Sequence, residues 1–114
     1  MKEKVILGLT EEITLIGNNG ETKEIVARID TGATASSVDI RLAAKLELGP
    51  ITKTKLVKSA SGVKKRPSIR AKIKLDGQII EDEFTLADRS HMTYQVLIGQ
   101  NILKNGDFLI DPKK

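Results

Sequence analysis

The chain of 114 residues is long enough for one domain and carries a formal net charge of +4, with 19 basic and 15 acidic side chains. A domain of this size buries a small core, so packing against a second copy would add to its stability. The sequence has no cysteine and one histidine, which excludes disulfides, thiolate metal sites and a cysteine nucleophile. No segment approaches the roughly 20 apolar residues of a membrane helix or resembles a signal peptide, so we expect a soluble cytoplasmic protein.

Short strands dominate the predicted elements in chain order. Alternating apolar residues and turn signals predict strands over 4–7, 12–16, 24–29, 36–39, 53–60, 63 onward, 70–75, 78–86, 96–98 and 108–110. Short helices are predicted over 41–46, with Asp39 as N-cap, and over 100–104. The turns include Asp76-Gly77, which suits a two-residue hairpin, whereas Pro67 restricts its strand to an edge or an irregular position. These features predict one all-β domain over 1–114, a closed or sandwiched sheet with two short helices.

The basic residues are concentrated in residues 49–75, which contain no acidic residue. This segment holds nine basic residues: Lys53, Lys55, Lys58, Lys64, Lys65, Arg66, Arg70, Lys72 and Lys74. Such a segment attracts anions, either phosphates or carboxylate-rich peptides. A solvated strand face is the simpler interpretation, and the charge pattern alone leaves both open.

The run "ARIDTGATASS" places a carboxylate, Asp30, directly after an apolar strand. The next residues, Thr31-Gly32-Ala33, break the alternation, and Gly32 permits backbone conformations that a side chain disfavours. An Asx-type turn is one interpretation of this loop. About 65 residues later, the apolar strand 96–98 ends at Gly99 and leads into the second helix, as expected if two buried strands meet at one cavity.

These two segments resemble the retropepsins, the single-domain aspartic proteases. The matching residues are Ile29-Asp30-Thr31-Gly32-Ala33 and Leu97-Ile98-Gly99, followed by Gln100-Asn101. The resemblance implies a retropepsin-like barrel and a C2 homodimer in which each chain supplies one catalytic Asp30. It also implies an active-site loop of Thr31, Gly32 and Ala33, supported by Ile98, Gly99 and Asn101. The hairpin at about 57–67 would be the flap, with Ser59, Ala60, Ser61 and Gly62 at its tip.

A closer resemblance covers nearly the whole chain. The segments "ARIDTGATASSVD", "KKRPSIRAKI", "EFTLADRSHMTYQVLIGQNIL" and "FLIDP" are similar to the RimB-like family, whose members are also labelled ATP-dependent zinc proteases and are linked to RimK-type glutamate ligases. This resemblance implies a peptidase that trims glutamate tails. The basic flap region supports it, because an acidic peptide would meet Lys58, Lys64, Lys65, Arg66 or Arg70.

The sequence departs from the viral pattern at Thr34 and Gln100, where retropepsins usually place an aspartate and an arginine. Both residues are neutral, and we expect a Thr34–Gln100 hydrogen bond in place of the ion pair. The zinc label lacks support, because the sequence has one histidine and only Asp88, His91 and Asp107 as weak candidate ligands. We therefore predict no metal and no cofactor.

Two other functions remain open from the sequence. The basic segment suits nucleic acid, but the three aromatic residues, Phe84, Tyr94 and Phe108, lie outside it, so it offers no base-stacking platform. A catalytically silent retropepsin-like interaction domain is the other alternative, because Asp30 is necessary for catalysis and not sufficient for it. We expect the partners to be a second copy of the chain and an acidic peptide, with neither a membrane nor a nucleic acid among them.

Overall fold

The computed structural model describes residues 4–59 and 62–114. Its strands are β1 Val5–Leu7, β2 Thr10–Ile16, β3 Thr22–Ile29, β4 Ser36–Asp39, β5 Ile51–Ser59, β6 Gly62–Leu75, β7 Gln78–Ala87, β8 Val96–Ile98 and β9 Phe108–Ile110. Its helices are α1 Ile40–Lys45 and α2 Gln100–Asn105. Ala60 and Ser61, at the predicted flap tip, lie outside the described residues.

The strands form a closed barrel because β2 pairs on both of its edges. The order across the main sheet is β2-β3-β8-β4-β7-β6-β5, and β2 also pairs with β6. Six strands therefore form the barrel, and β5 extends from it beside β6. The all-β barrel with two short helices that the sequence predicts is confirmed.

Side-chain alternation explains why the barrel closes around one core. Along β6, Ile69, Ala71, Ile73 and Leu75 are buried, whereas Arg70, Lys72 and Lys74 are exposed between them. Phe84 on β7 is fully buried in the same cluster, which also contains Ile102 of α2. The apolar face of each strand thus provides the inner wall of the barrel.

Local turn and cap chemistry determines where the elements end. Asp76 and Gly77 have φ values of 46° and 82°, as a two-residue turn of type I′ requires between β6 and β7. Asp39 caps α1 as predicted, since its side chain accepts a hydrogen bond from the Leu42 N–H at 3.4 Å. No helix in the described part of the chain is long and apolar enough to span a membrane.

The long hairpin of β5 and β6 projects beyond the barrel. Pairing of β5 with β6 runs from Ser59 opposite Gly62 to Ile51 opposite Ile69, whereas β7 joins β6 only from Ser68 onward. Pro67 therefore lies where its strand has one neighbour, which agrees with the irregular position predicted for it. This hairpin, called the flap hairpin below, covers the segment for which the sequence predicts a flap, and its closing over a substrate stays a prediction.

Candidate active site

The loop after β3 presents Asp30 at the end of a buried strand. The Asp30 N–H donates to the Ile98 carbonyl at 2.9 Å, and the Ala33 N–H donates to the Asp30 carbonyl at 3.3 Å. The Asp30 Oδ1 atom accepts the Gly32 N–H at 3.0 Å, which is the hydrogen bond of an Asx turn. Asp30 is partly buried, whereas Thr31 and Gly32 are exposed. The loop thus holds the carboxylate at the surface of the barrel, with its backbone fixed on both sides.

A buried hydrogen-bond network supports the loop from below. The Ser36 hydroxyl accepts the Gly99 N–H at 2.9 Å and donates to Asn101 Oδ1 at 2.7 Å. The Asn101 amide donates in turn to Asp82 Oδ1 at 3.0 Å and to the Glu83 carbonyl at 2.9 Å. Gly99 and Asn101, both predicted to support the loop, therefore connect β8 and α2 to β4 and β7.

Gln100 connects α2 directly to the Asp30 loop. Its backbone N–H donates to the Ala33 carbonyl at 2.7 Å, and its side-chain amide donates to the Thr31 carbonyl at 2.8 Å. The expected hydrogen bond between the side chains of Thr34 and Gln100 is therefore replaced by one to the loop backbone. The physical reason is that the Gln100 side-chain amide reaches the Thr31 carbonyl, which the loop backbone holds in place, while Thr34 is exposed.

A cleft of about 620 Å³ lies between the Asp30 loop and the flap hairpin. Gly32, Ala33, Thr34 and Ala35 line it on the loop side, and Ser37, Thr85, Leu97 and Arg89 line it on the barrel side. The hairpin contributes Lys55, Leu56, Val57, Lys58, Val63 and Arg66. The cleft therefore has apolar, hydroxyl and cationic surfaces.

The cleft contains only some of the basic residues predicted to bind substrate. Lys58 and Arg66 line it, whereas Lys64 and Lys65 are exposed on β6 and are not among its lining residues. Arg70 is also exposed, and its guanidinium lies 3.8 Å from the Glu81 carboxylate. Of the predicted flap-tip residues, Ser59 ends β5 and Gly62 begins β6 with φ at 115°.

Arg89 is a cleft residue that the sequence analysis did not identify. Its side chain is only 9% exposed, its Nε–H donates to the Tyr94 carbonyl at 2.9 Å, and its backbone N–H donates to Asp39 Oδ1 at 2.8 Å. Burial, followed by the positive charge of Arg66, lowers the pKa of Arg89, while Asp39 and Asp30 act in the opposite direction. The sequence signals are an arginine two residues after the end of β7 and its place in the segment "EFTLADRSHMTYQVLIGQNIL", which is similar to the RimB-like family.

The weak metal candidates have other contacts. Asp88 Oδ1 accepts hydrogen bonds from the Ser90 hydroxyl at 2.6 Å and the Ser90 N–H at 3.0 Å, and these bonds lower the pKa of Asp88. Asp107 pairs with Lys4 at 3.6 Å. Across residues 4–59 and 62–114, no three His, Cys, Asp or Glu side chains cluster as metal ligands would.

The fold is similar to several solved structures. A protein of unknown function from Legionella pneumophila, Lpg0085, matches with a TM-score of 0.69 and 22% identity, over 98% of this chain and 96% of that one. EIAV protease in complex with an inhibitor matches with a TM-score of 0.68 and 19% identity, over 92% of this chain and 93% of that one. The retroviral protease-like domain of Ddi1 from Leishmania major matches with a TM-score of 0.56 and 22% identity, over 92% and 75%. These TM-scores show a shared retropepsin-like fold, as the sequence predicts.

Comparison at the sequence level identifies the family. No curated protein matches the chain. The profile of the RimB-like family, described as "Retropepsin-like aspartic endopeptidase RimB", matches residues 41–114, which is more than half of the chain. The matched region includes the flap hairpin, Arg89 and α2, and it begins after the Asp30 loop. The chain belongs to the RimB-like family of retropepsin-like aspartic endopeptidases.

Proposed function

We propose that this protein is an aspartic peptidase that works as a C2 homodimer and hydrolyses acidic peptides, including glutamate tails. The observation that carries the proposal is the position of Asp30. Its carboxylate follows a buried strand, its backbone is hydrogen-bonded to Ile98, and its loop adjoins a cleft under a long hairpin. Membership of the RimB-like family supports the same chemistry.

Peptide hydrolysis by this chemistry needs two carboxylates that share one proton. The ionised carboxylate removes a proton from water, while the protonated one donates a hydrogen bond to the scissile carbonyl. The water oxygen then bonds to the carbonyl carbon, and the C–N bond breaks as the leaving nitrogen takes up a proton. Each Asp-Thr-Gly loop supplies one carboxylate, so a two-fold axis beside Asp30 would supply the second from the same residue of a second copy.

Exposed apolar side chains beside the loop favour such a dimer. The Leu9 carbonyl accepts the Ile29 N–H at 2.9 Å, so Leu9, which is 56% exposed, lies next to the strand that ends at Asp30. Ile6 and Leu109 are paired in register on β1 and β9 and are also about half exposed. Covering these side chains with a second copy would remove apolar surface from water.

Charge in the cleft supports acidic substrates. Lys58 and Arg66 line the cleft and form no ion pair within the described residues, whereas Lys55 lies 3.9 Å from the Glu83 carboxylate. An acidic peptide under the hairpin would therefore meet cations that have no anionic partner of their own. The attraction should weaken as salt is added.

The decisive experiment compares Asp30→Asn with Asp76→Asn in a cleavage assay on a glutamate-tailed peptide. Asp76→Asn is the matched control, because Asp76 is exposed in the turn between β6 and β7 and asparagine also tolerates its positive φ. We expect Asp30→Asn to abolish cleavage while sedimentation still finds a dimer, and Asp76→Asn to keep both. A chelator should leave cleavage unchanged.

Each of three results would overturn the proposal. Cleavage by purified Asp30→Asn at the wild-type rate would refute the aspartic mechanism. A wild-type dimer that binds the peptide but never cleaves it would indicate a silent interaction domain. Salt-sensitive binding to DNA without peptidase activity would assign the basic segment to nucleic acid.

A further inference from the structure

The barrel side of the cleft is a polar surface built from three neighbouring strands. In the register of the sheet, Ser37 on β4 lies opposite Thr85 on β7 and opposite Leu97 on β8. Directly opposed residues point to the same side of a sheet, and these three residues all line the cleft. Ser37 and Thr85 thus place hydroxyl side chains on this side of the cleft, which Arg89 also lines, and the Thr85 hydroxyl donates to the Ser36 carbonyl at 3.2 Å.

Arg89 is fixed at one edge of its guanidinium and unpaired at the other. The Nε–H is bound to the Tyr94 carbonyl, and the backbone N–H is bound to the buried carboxylate of Asp39. Among residues 4–59 and 62–114, the two terminal nitrogens, Nη1 and Nη2, have neither a hydrogen-bond acceptor nor a carboxylate within ion-pair distance. A guanidinium held in this way keeps its bidentate edge available for an anion.

The surroundings of Arg89 make an anion at this point favourable. The side chain is 9% exposed, and Arg66, which lines the same cleft, repels it electrostatically. Two cations therefore face one cavity, one of them largely removed from water. Two like charges that repel each other in one cavity are unfavourable, and a carboxylate that contacts both arginines would offset this repulsion.

Ser37 provides an independent observation at the same place. Its side chain is 9% exposed, and its hydroxyl oxygen is buried with no hydrogen-bond partner among the described residues. Buried hydroxyls are rarely left unpaired unless a ligand or another group supplies the partner. A carboxylate has two oxygens, so it can accept two N–H bonds from Arg89 and still accept the Ser37 O–H.

We propose that Arg89 is a specificity-determining residue that binds a side-chain carboxylate of the peptide through Nη1 and Nη2, assisted by Arg66 and the Ser37 hydroxyl. This inference rests on the proposed function, since it names the group that selects acidic peptides in the same cleft. Arg89 acts in binding and takes no part in the transfer of protons at Asp30.

The test measures binding separately from cleavage. Fluorescence anisotropy gives the Kd of a labelled oligoglutamate peptide and of its oligoglutamine counterpart for protein carrying Asp30→Asn, which keeps the peptide intact. We expect the glutamate peptide to bind more tightly, and the addition of Arg89→Gln to reduce the ratio of the two affinities about 10- to 100-fold, as typical for a charge-assisted bond. Arg41→Gln is the matched control, because Arg41 is exposed on α1 and does not line the cleft.

Two further variants distinguish the loss of a contact with the peptide from misfolding of Arg89→Gln. Arg89→Lys keeps the charge but lacks the bidentate edge, so it should retain only part of the preference. Ser37→Ala removes one donor and should lower the ratio about 2- to 5-fold, as expected for the loss of a single hydrogen bond. The ratio of two affinities measured on one preparation does not depend on the fraction of protein that is folded.

The outcomes separate this inference from the proposed function. Equal preference for glutamate in the Arg89→Gln and parent proteins would overturn the role of Arg89, whether or not wild-type protein cleaves the peptide. Absence of any preference for glutamate in the parent protein would overturn it as well. Loss of preference in Arg89→Gln, with wild-type protein inactive as a peptidase, would support the carboxylate site and refute the proposed catalysis.

Discussion

Two adjacent serines on β4 provide a test of what supports the Asp30 loop. Ser36 and Ser37 are both buried, but Ser36 bonds to the Gly99 N–H and to Asn101, whereas the Ser37 hydroxyl has no partner in the described structure. Replacing each by alanine removes the same atom from neighbouring positions. Comparing the two substitutions therefore separates the contribution of the hydrogen bonds to the free energy of unfolding from the effect of removing a buried oxygen.

The expected magnitude follows from the groups that Ser36→Ala leaves unpaired. Gly99 is buried, so its unsatisfied N–H costs about 1–3 kcal/mol, and the loss of the bond to Asn101 adds up to about 1 kcal/mol. Asn101 is partly exposed, so water compensates some of this loss. We expect Ser36→Ala to lower the free energy of unfolding by about 2–3 kcal/mol and Ser37→Ala to change it by less than about 0.5 kcal/mol.

Urea denaturation followed by circular dichroism measures both values. With a slope of about 1–3 kcal/mol per molar urea, the Ser36→Ala midpoint should fall by roughly 0.7–3 M. All samples should have the same protein concentration, because dimerisation would make the midpoint concentration-dependent. Equal midpoint shifts for the two variants would refute the conclusion that the Ser36 network supports the loop.

Two other predictions concern Gly99, at the end of β8, and Ser90, in the loop after β7. Gly99→Ala should prevent folding or greatly lower the unfolding midpoint. The reason is that the added Cβ would press against the Ala35 carbonyl and lie 2.9 Å from the Ala33 oxygen. A midpoint equal to that of the wild type would contradict this prediction. Ser90→Ala should raise the pKa of Asp88 in an NMR titration, since the Ser90 hydroxyl contributes most to lowering it. The pKa of Asp88 is lower in the folded state than in the unfolded state. Any decrease in the free energy of unfolding of Ser90→Ala should therefore be present above the unfolded-state pKa and vanish as pH falls through the folded-state pKa. A decrease that does not depend on pH would indicate another cause.

Most of the barrel is predictable from the sequence because local signals agree with the global fold. The alternation along β6, the Asp76-Gly77 turn and the Asp39 cap each depend on residues that are neighbours in the chain. The Asp30 loop is recognisable because an apolar strand delivers one carboxylate to a glycine-containing turn. The sequence analysis placed these elements with nearly correct boundaries, but it divided β6 into two strands, from 63 onward and over 70–75, which the structure shows as one.

Features that depend on long-range geometry were not predictable in the same way. The side chain of Gln100 bonds to a backbone carbonyl that carries no sequence signature. The choice between cleft-facing Arg66 and outward Arg70 depends on how the strand continues past Pro67 into the barrel. Arg89 was missed because its position depends on hydrogen bonds to the Tyr94 carbonyl and the Asp39 carboxylate. Only the folded chain brings these two groups to Arg89.

The dependence of the Asp30 loop on α2 also affects when the site can form. The hydrogen bond from Gln100 to Thr31 spans 69 positions, and the one from Gly99 to Ser36 spans 63. Contacts between such distant positions form late in folding, because closing a long loop costs chain entropy before any contact compensates for it. During synthesis, the Asp30 loop therefore stays without these restraints until Gly99 and Gln100 have left the ribosome. The proposed peptidase would therefore lack an organised Asp30 loop while its own unfolded segments are still exposed.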